Sequence, residues 1–225
     1  MRRLSVLCAV FAVCAVGGLV AQNAAPKVES GYTSLFNGKD LTGWKVGAAG
    51  GQNNTGEGAF SVVDGAIQAN GVPSSAHLFY DGPFKNHVFT NFDLKLDVMA
   101  KNKSNGGIYI CTDWQATGFP GKGFEIQLNN SHTDRVRTGS LYHVVDLSYV
   151  PAKDEEWFPM EIMVKSQTIS IWIKGSKVIE WTQPPDWTTN YDTANRKLGP
   201  GTIAFQAHDP NSFTQYKNIR IKSLD

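Results

Sequence analysis

The sequence predicts an all-β protein, an antiparallel β-sandwich, from three observations. Runs of roughly four to nine residues rich in Val, Ile, Phe, Tyr and Trp alternate with clusters of Gly, Pro, Asn and Asp. Within the longer runs apolar and polar residues alternate with period two, as a strand requires. No stretch carries the 3.6-residue period of a long amphipathic helix.

Taken in order, SLFNGKDLTGW gives a short strand around Leu35, a turn at Asn37-Gly38, and Trp44. Gly47 to Gly58 is rich in Gly and Asn, offers little to bury, and reads as a loop. Ala59–Val63 and Ala66–Ala69 flank Asp64-Gly65, the strongest short hairpin signal in the chain. His77–Tyr80 resumes a strand. In Phe92–Ala100 the residues Phe92, Leu94, Leu96, Val98 and Ala100 alternate with Asp93, Lys95, Asp97 and Met99, so one side is buried and the other wet. Gly106–Cys111 (GGIYIC) lacks charge and reads as buried on both faces. Phe124–Asn129 follows, then the paired runs Met160–Val164 and Ile169–Ile173, then Val178–Trp181 after a Lys174-Gly175-Ser176 turn. A loop from Gln183 to Gly199 precedes the last two strands, Thr202–His208 and Tyr216–Leu224.

Arg2 and Arg3 before an apolar run from Leu4 to Val20, with small or polar residues at Ala21–Ala25, have the layout of a secretory signal peptide. The run is short of the ~20 residues that span a bilayer. Residues 1–25 are therefore expected to be a leader, 26–225 one exported domain, periplasmic or secreted, with no membrane attachment after cleavage. Cleavage removes Cys8 and Cys14 and leaves Cys111 without a disulfide partner. It also takes the 21 basic residues to 19 against 20 acidic. A near-neutral chain without a basic run is a poor nucleic-acid or anionic-membrane binder.

The stretch GKGFEIQLNNSHTDRVRTGSLYH, Gly121 to His143, concentrates the chemistry. Phe124, Ile126 and Leu128 form an apolar face, while Glu125, Gln127 and Asn129 form a face of one carboxylate between amides. Such a face can hold a base or grip sugar hydroxyls; equally, it can be the solvated side of the sheet. Two-carboxylate glycoside hydrolysis needs a second acid about 5 Å away for retention, and the i+2 and i+4 positions here are amides. His208 shares a strand face with Gln206 and precedes Asp209, so it could act as acid, base or metal ligand. His132, Asp134 and His143 could hold a divalent metal by residue type, without the spacing of a zinc motif. Arg135 and Arg137 could neutralise an oxyanion beside a polar cleft. Trp114 and Trp187 lie in polar loops where an indole could stack on a sugar ring, and Cys111 reads as a buried, inert thiol.

The motifs SLFNGKDLTGW, SNGGIYI, GKGFEIQLNN, TGSLYHV, WFPMEIMVKSQTISIWIKGSKV, GPGTIAFQAHD and YKNIRIKSL occur in this order from Ser34 to Leu224. In this the chain resembles the 3-keto-disaccharide hydrolase family. The resemblance implies a jelly-roll sandwich of the concanavalin A-like type that binds its ligand on a concave sheet. It also implies hydrolysis, or 1,2-elimination followed by hydration, of glycosides oxidised at C3. Matched motif by motif, it carries function to Glu125, Gln127, Asn129, Asn130, Tyr142, Gln206 and His208. Cys111 after GGIYI is a departure, since many relatives carry a polar or charged residue there. The chemistry implied needs one base for the C2 proton, for which Glu125 and His208 both qualify, an acid for the leaving oxygen, and donors around the enolate. Two competing classes remain: a non-catalytic carbohydrate-binding module of the cell envelope, and an envelope interaction domain that binds no sugar.

Overall fold

The computed structural model describes residues 29–50, 54–71, 75–188 and 196–225. The leader expected over residues 1–25 lies outside them. Thirteen strands are formed among the described residues: β1 Thr33–Ser34, β2 Trp44–Ala48, β3 Phe60–Val63, β4 Ala66–Asn70, β5 Ala76–Tyr80, β6 Phe92–Ala100, β7 Gly106–Thr112, β8 Phe124–Leu128, β9 Phe158–Lys165, β10 Thr168–Ile173, β11 Ser176–Thr182, β12 Thr202–Ala207 and β13 Phe213–Ser223. They make two antiparallel sheets, one in the order β11-β10-β9-β6-β13-β4-β3 with β1 also on β13, the other β2-β5-β12-β7-β8. No helix among the described residues is long and apolar enough to cross a membrane.

Two hairpins follow directly from their turn residues. Val63 pairs with Ala66 across Asp64 (φ 50°) and Gly65 (φ 75°), and Ile173 with Ser176 across Lys174 (φ 53°) and Gly175 (φ 78°). Two successive positive φ angles give the turn whose twist matches that of the strands it joins. Ile169, Ile171 and Ile173 pair with Val164, Ile162 and Met160 as their alternation requires. All six are buried.

The sheets close on one apolar core. Trp44 of β2 stacks on Phe205 of β12 at 5.1 Å between ring centroids, and Phe205 stacks on Tyr216 of β13 at 4.1 Å. This aromatic column ties one sheet to the other, and each such ring contributes about 1.5–3 kcal/mol by leaving water. Trp44 also donates from Nε1 to the Leu35 carbonyl at 3.0 Å, which satisfies the indole inside the core.

Three expectations need correction. Gly47 belongs to a strand and not to the loop, because β2 continues to Ala48 along β5; a Cβ at Gly47 would lie 2.2 Å from the Gln115 carbonyl oxygen. The final strand begins at Phe213, three residues before Tyr216, where it pairs with Asn70. The polar face of β8 is not solvated: Glu125, Gln127 and Asn129 are all buried. Cys111 sits at a register shift between β7 and β12 with φ 55°. Its thiol lies in the apolar core, where burial pushes its pKa up to about 11.

Candidate active site

Strand alternation assigns the two faces of the five-stranded sheet. Leu78, Phe205, Ile108, Ile110, Phe124, Ile126 and Leu128 point into the core. Their neighbours point the other way, and register aligns them in rows. Phe79, Ala204, Tyr109 and Glu125 are cross-strand partners over β5, β12, β7 and β8. In the next row His77 faces Gln206, and Gly107 faces Gln127. These rows floor a cleft of about 190 Å³ whose lining includes Glu125, Gln127, Gln206, Tyr109 and His208. Loops supply its walls: Phe119 and Pro120 on β7's side, Asn105, Asp134, Tyr142 and Arg196 around the rest.

Glu125 is the buried acid of this floor. It is 5 % exposed, and burial raises its pKa to about 7 against the opposing pull of the Tyr109 hydrogen bond, Arg196 and His208. The Tyr109 hydroxyl donates to Glu125 Oε2 at 2.7 Å. Gly107 makes room for the carboxylate, since a Cβ there would stand 2.3 Å from Oε1. A carboxyl with a pKa near neutrality, held beside a cation and an imidazole, can take or give a proton at working pH.

A second network fixes the mouth. Gln127 Nε2 donates to Asn105 Oδ1 (2.8 Å), and Asn105 Nδ2 donates to Asp209 Oδ2 (3.1 Å). Asp209 also faces two imidazoles, His132 Nε2 at 3.4 Å and His208 Nδ1 at 2.8 Å. The His208 contact is short but lacks hydrogen-bond alignment, so it is an ion-pair contact when the ring is charged. Arg196 is carried by aromatic packing: Trp187 donates from Nε1 to its carbonyl at 2.8 Å, and Trp187 packs edge-on against Trp181, which packs on Phe124 of β8. Its Nη1 donates to the Tyr142 carbonyl at 3.3 Å.

The structure brings Glu125, Gln127, Tyr142, Gln206 and His208 together at the cleft. It directs the other sequence candidates elsewhere. Asn129 staples the following loop, donating to the Asp134 and Val136 carbonyls at 2.8 Å each. Asn130 accepts from Thr138 Oγ1 at 2.7 Å. Arg137 donates to the His132 carbonyl and Asn129 Oδ1, and Arg135 points to solvent, so neither guanidinium lines the cleft. Trp114 is also off the lining, with Lys45 Nζ 3.4 Å above its ring. The aromatic at the mouth is instead Phe119, 48 % exposed and packed on His77 and His208 at 5.3 and 5.7 Å. His132, Asp134 and His143 do not converge, and no group of three or more His, Cys, Asp or Glu among the described residues is disposed to hold a metal. Sequence reasoning took Tyr109 of β7 for a core aromatic, and it missed Asn105, Phe119, Asp134 as a wall residue, and Arg196. These four come from loops without periodicity; Trp187, expected to stack on a sugar ring, instead packs against Trp181 and the core, off the cleft lining.

The sequence matches the family model described as the 3-keto-alpha-glucoside-1,2-lyase-like domain over residues 31–222. Among solved structures, it is similar to a candidate glycosyl hydrolase from Parabacteroides distasonis at 24 % identity and TM-score 0.70, covering 87 % of this chain and 94 % of that one. A second such protein from the same organism matches at 22 % identity and TM-score 0.64, covering 86 % and 99 %. The carbohydrate-binding module CBM66 from Bacillus subtilis shares the sandwich at 11 % identity and TM-score 0.54, covering 80 % and 96 %. These likenesses establish the fold. No curated protein sequence matches the chain.

Proposed function

The chain belongs to the 3-keto-alpha-glucoside-1,2-lyase-like family, and from that premise we propose that it cleaves glycosides already oxidised at C3, with Glu125 as the base. The carbonyl at C3 acidifies the C2–H bond. Glu125 takes that proton, and the electron pair passes to the C3 oxygen as an enolate. When the enolate collapses, the C1–O bond breaks, a C1=C2 double bond forms and the ketone returns. The leaving oxygen takes a proton from His208, through the ring nitrogen not facing Asp209. Addition of water to the resulting 2-hydroxy-3-keto-glucal completes a net hydrolysis.

The observation that carries this reading is the single buried carboxyl of the cleft floor, titrating near 7 within reach of a cation. One base suffices for elimination, so the reading needs no chemical role for the wall carboxylate Asp134. Arg196 supplies fixed positive charge for the enolate, worth most in a site that excludes water. Gln127, Gln206 and Asn105 present amides that recognise hydroxyls. The leader expected from Arg2-Arg3 and Leu4–Val20 would export the enzyme.

The test is aglycone release from a nitrophenyl 3-keto-glucoside and from its unoxidised parent. We expect release from the keto compound alone, with kcat rising through pH about 7 as Glu125 ionises. A half-exposed Phe119 above a floor of amides equally suits a carbohydrate-binding module. Retention of both sugars with turnover of neither would favour that reading. Phe119→Ala is expected to raise KM by about 10-fold and to leave kcat within about 2-fold, since a stacking wall serves ground and transition states alike.

A further inference from the structure

The reaction as proposed leaves unused the imidazole of His77, which lies behind the cleft lining as the cross-strand partner of Gln206. It is fully buried on β5, with Tyr109 and Phe119 edge-on at 5.2 and 5.3 Å and Phe79 tilted at 6.2 Å. Burial, with the charge of His208 adding to it, pushes its pKa down to about 3, so the ring is neutral at any working pH. A neutral imidazole has one N–H and one acceptor nitrogen. His77 Nδ1 has no hydrogen-bond partner among the described residues, and Nε2 stands 3.5 Å from Gln206 Nε2.

The same Gln206 nitrogen lies 3.3 Å from the Tyr109 hydroxyl, whose own contact with Glu125 Oε2 is 2.7 Å. The donor directions along this chain depend on one another. With the Tyr109 proton given to an ionised Glu125, the Tyr109 oxygen can only accept in its contact with Gln206. Gln206 must then turn its NH₂ toward Tyr109 and His77. That orientation requires an unprotonated Nε2 on His77 and places the ring proton on Nδ1. If the amide flipped, Gln206 Oε1 would face Tyr109 and compete with Glu125 for its proton. Gln206 Oε1 is itself buried without a partner. Each buried polar atom left unpaired costs about 1–3 kcal/mol, so an apolar pair would make a more stable floor.

We propose that His77 is a positioning residue of the catalytic base: as an acceptor at Nε2 it holds the Gln206 amide with its NH₂ toward Tyr109, so that the Tyr109 hydroxyl donates to Glu125 and not to Gln206. The proposal rests on the reading of Glu125 as the base. The other groups that bear on Glu125 are Arg196 and His208, which favour its ionised form, and Asp134, which opposes it. None of them belongs to the chain from His77.

The test is the titration of the Glu125 carboxyl carbon by ¹³C NMR in the full-length protein, its signal assigned as the one lost in Glu125→Gln. In His77→Phe the midpoint should move up by about one unit, because the ionised carboxylate loses a donor. Turnover at pH 7 should fall about 5-fold through kcat, with KM little changed, and should recover at higher pH. In a Tyr109→Phe background, His77→Phe should add no further shift. An unmoved midpoint in folded His77→Phe, or an equal shift without the Tyr109 hydroxyl, overturns the proposal. Should His77→Phe fail to fold, His77→Leu removes the same acceptor and must raise the midpoint; an unmoved midpoint there overturns it equally. The NMR midpoint needs no turnover, so inactivity of the parent protein on 3-keto-glucosides would sink the proposed function without deciding the fate of the chain.

Discussion

Glu125→Gln is expected to lower turnover of a 3-keto-glucoside by about 10²–10⁴-fold while the protein keeps its fold and its affinity for the sugar. Glutamine has the shape of the carboxylate and still accepts from the Tyr109 hydroxyl, but it cannot take the C2 proton. The loss therefore falls on kcat and not on KM. His208→Ala should behave differently. Its effect should be large for a sugar or alkyl leaving group and small for nitrophenolate, which departs without protonation. A Glu125→Gln protein that keeps turnover within about 10-fold of the parent would remove Glu125 from the role of base.

The same substitution should stabilise the fold above about pH 4.5, with the gain complete by about pH 7. Below its unfolded pKa of 4.5, Glu125 is protonated in both states and contributes no pH dependence. As pH rises from 4.5 toward the folded value of about 7, the unfolded chain releases the proton while the folded one retains it. Unfolding is favoured over that interval by about 3 kcal/mol in all, and above it the difference is constant. His77 acts with the opposite sign. Its folded pKa lies near 3 against 6.5 unfolded, so the stability it confers is present above 6.5 and is lost as pH falls through that window. Comparing Glu125→Gln with its parent cancels the His77 effect. The two should unfold at similar denaturant concentrations at pH 4 and diverge by pH 8, with the variant the more stable.

Much of the fold was legible because strands announce themselves locally. The alternation in Phe92–Ala100 assigns its core-facing side, and the Asp64-Gly65 turn and the isoleucine ladder of Ile169–Ile173 specify their own pairing. Gly47 misled because a glycine in a strand looks like a loop until the Gln115 carbonyl that needs the space is known. Part of the site was legible by the same parity: Glu125 with Gln127, and Gln206 with His208, are i, i+2 pairs that must share a face. Whether that face meets water could not be read, because loops from distant parts of the chain decide it. Arg135 and Arg137 show the converse error. Nearness in sequence to Glu125 suggested nearness in space, yet Arg137 is held by its own loop and Arg135 faces solvent. The guanidinium that reaches the cleft belongs to Arg196, supported by tryptophans 9 and 15 residues before it.

Gly107→Ala should be nearly as damaging to catalysis as losing the base, although it adds a single methyl group. Gly107 lies opposite Gln127 in β7, and its φ is not positive, so the backbone accepts alanine without strain. Strand conformation alone would make alanine the more stable residue by about 0.5–1 kcal/mol. The added Cβ, however, would stand 2.3 Å from Glu125 Oε1, 2.9 Å from its Cγ and 3.0 Å from its Cδ. The flexible carboxylate must move, and with it goes the Tyr109 hydrogen bond that orients it. A displacement of about 1 Å in a reacting group can cost roughly 10²-fold in rate, and we expect kcat to fall by about that factor. Unfolding should change by less than about 1 kcal/mol, because the methyl displaces a side chain and not the core. The decisive comparison is the double variant. In a Glu125→Gln background, Gly107→Ala should cost almost nothing further in turnover, since both changes disable the same group. Independent, multiplying losses would mean that Gly107 serves the substrate directly, and that the room above it is sugar space and not carboxylate space.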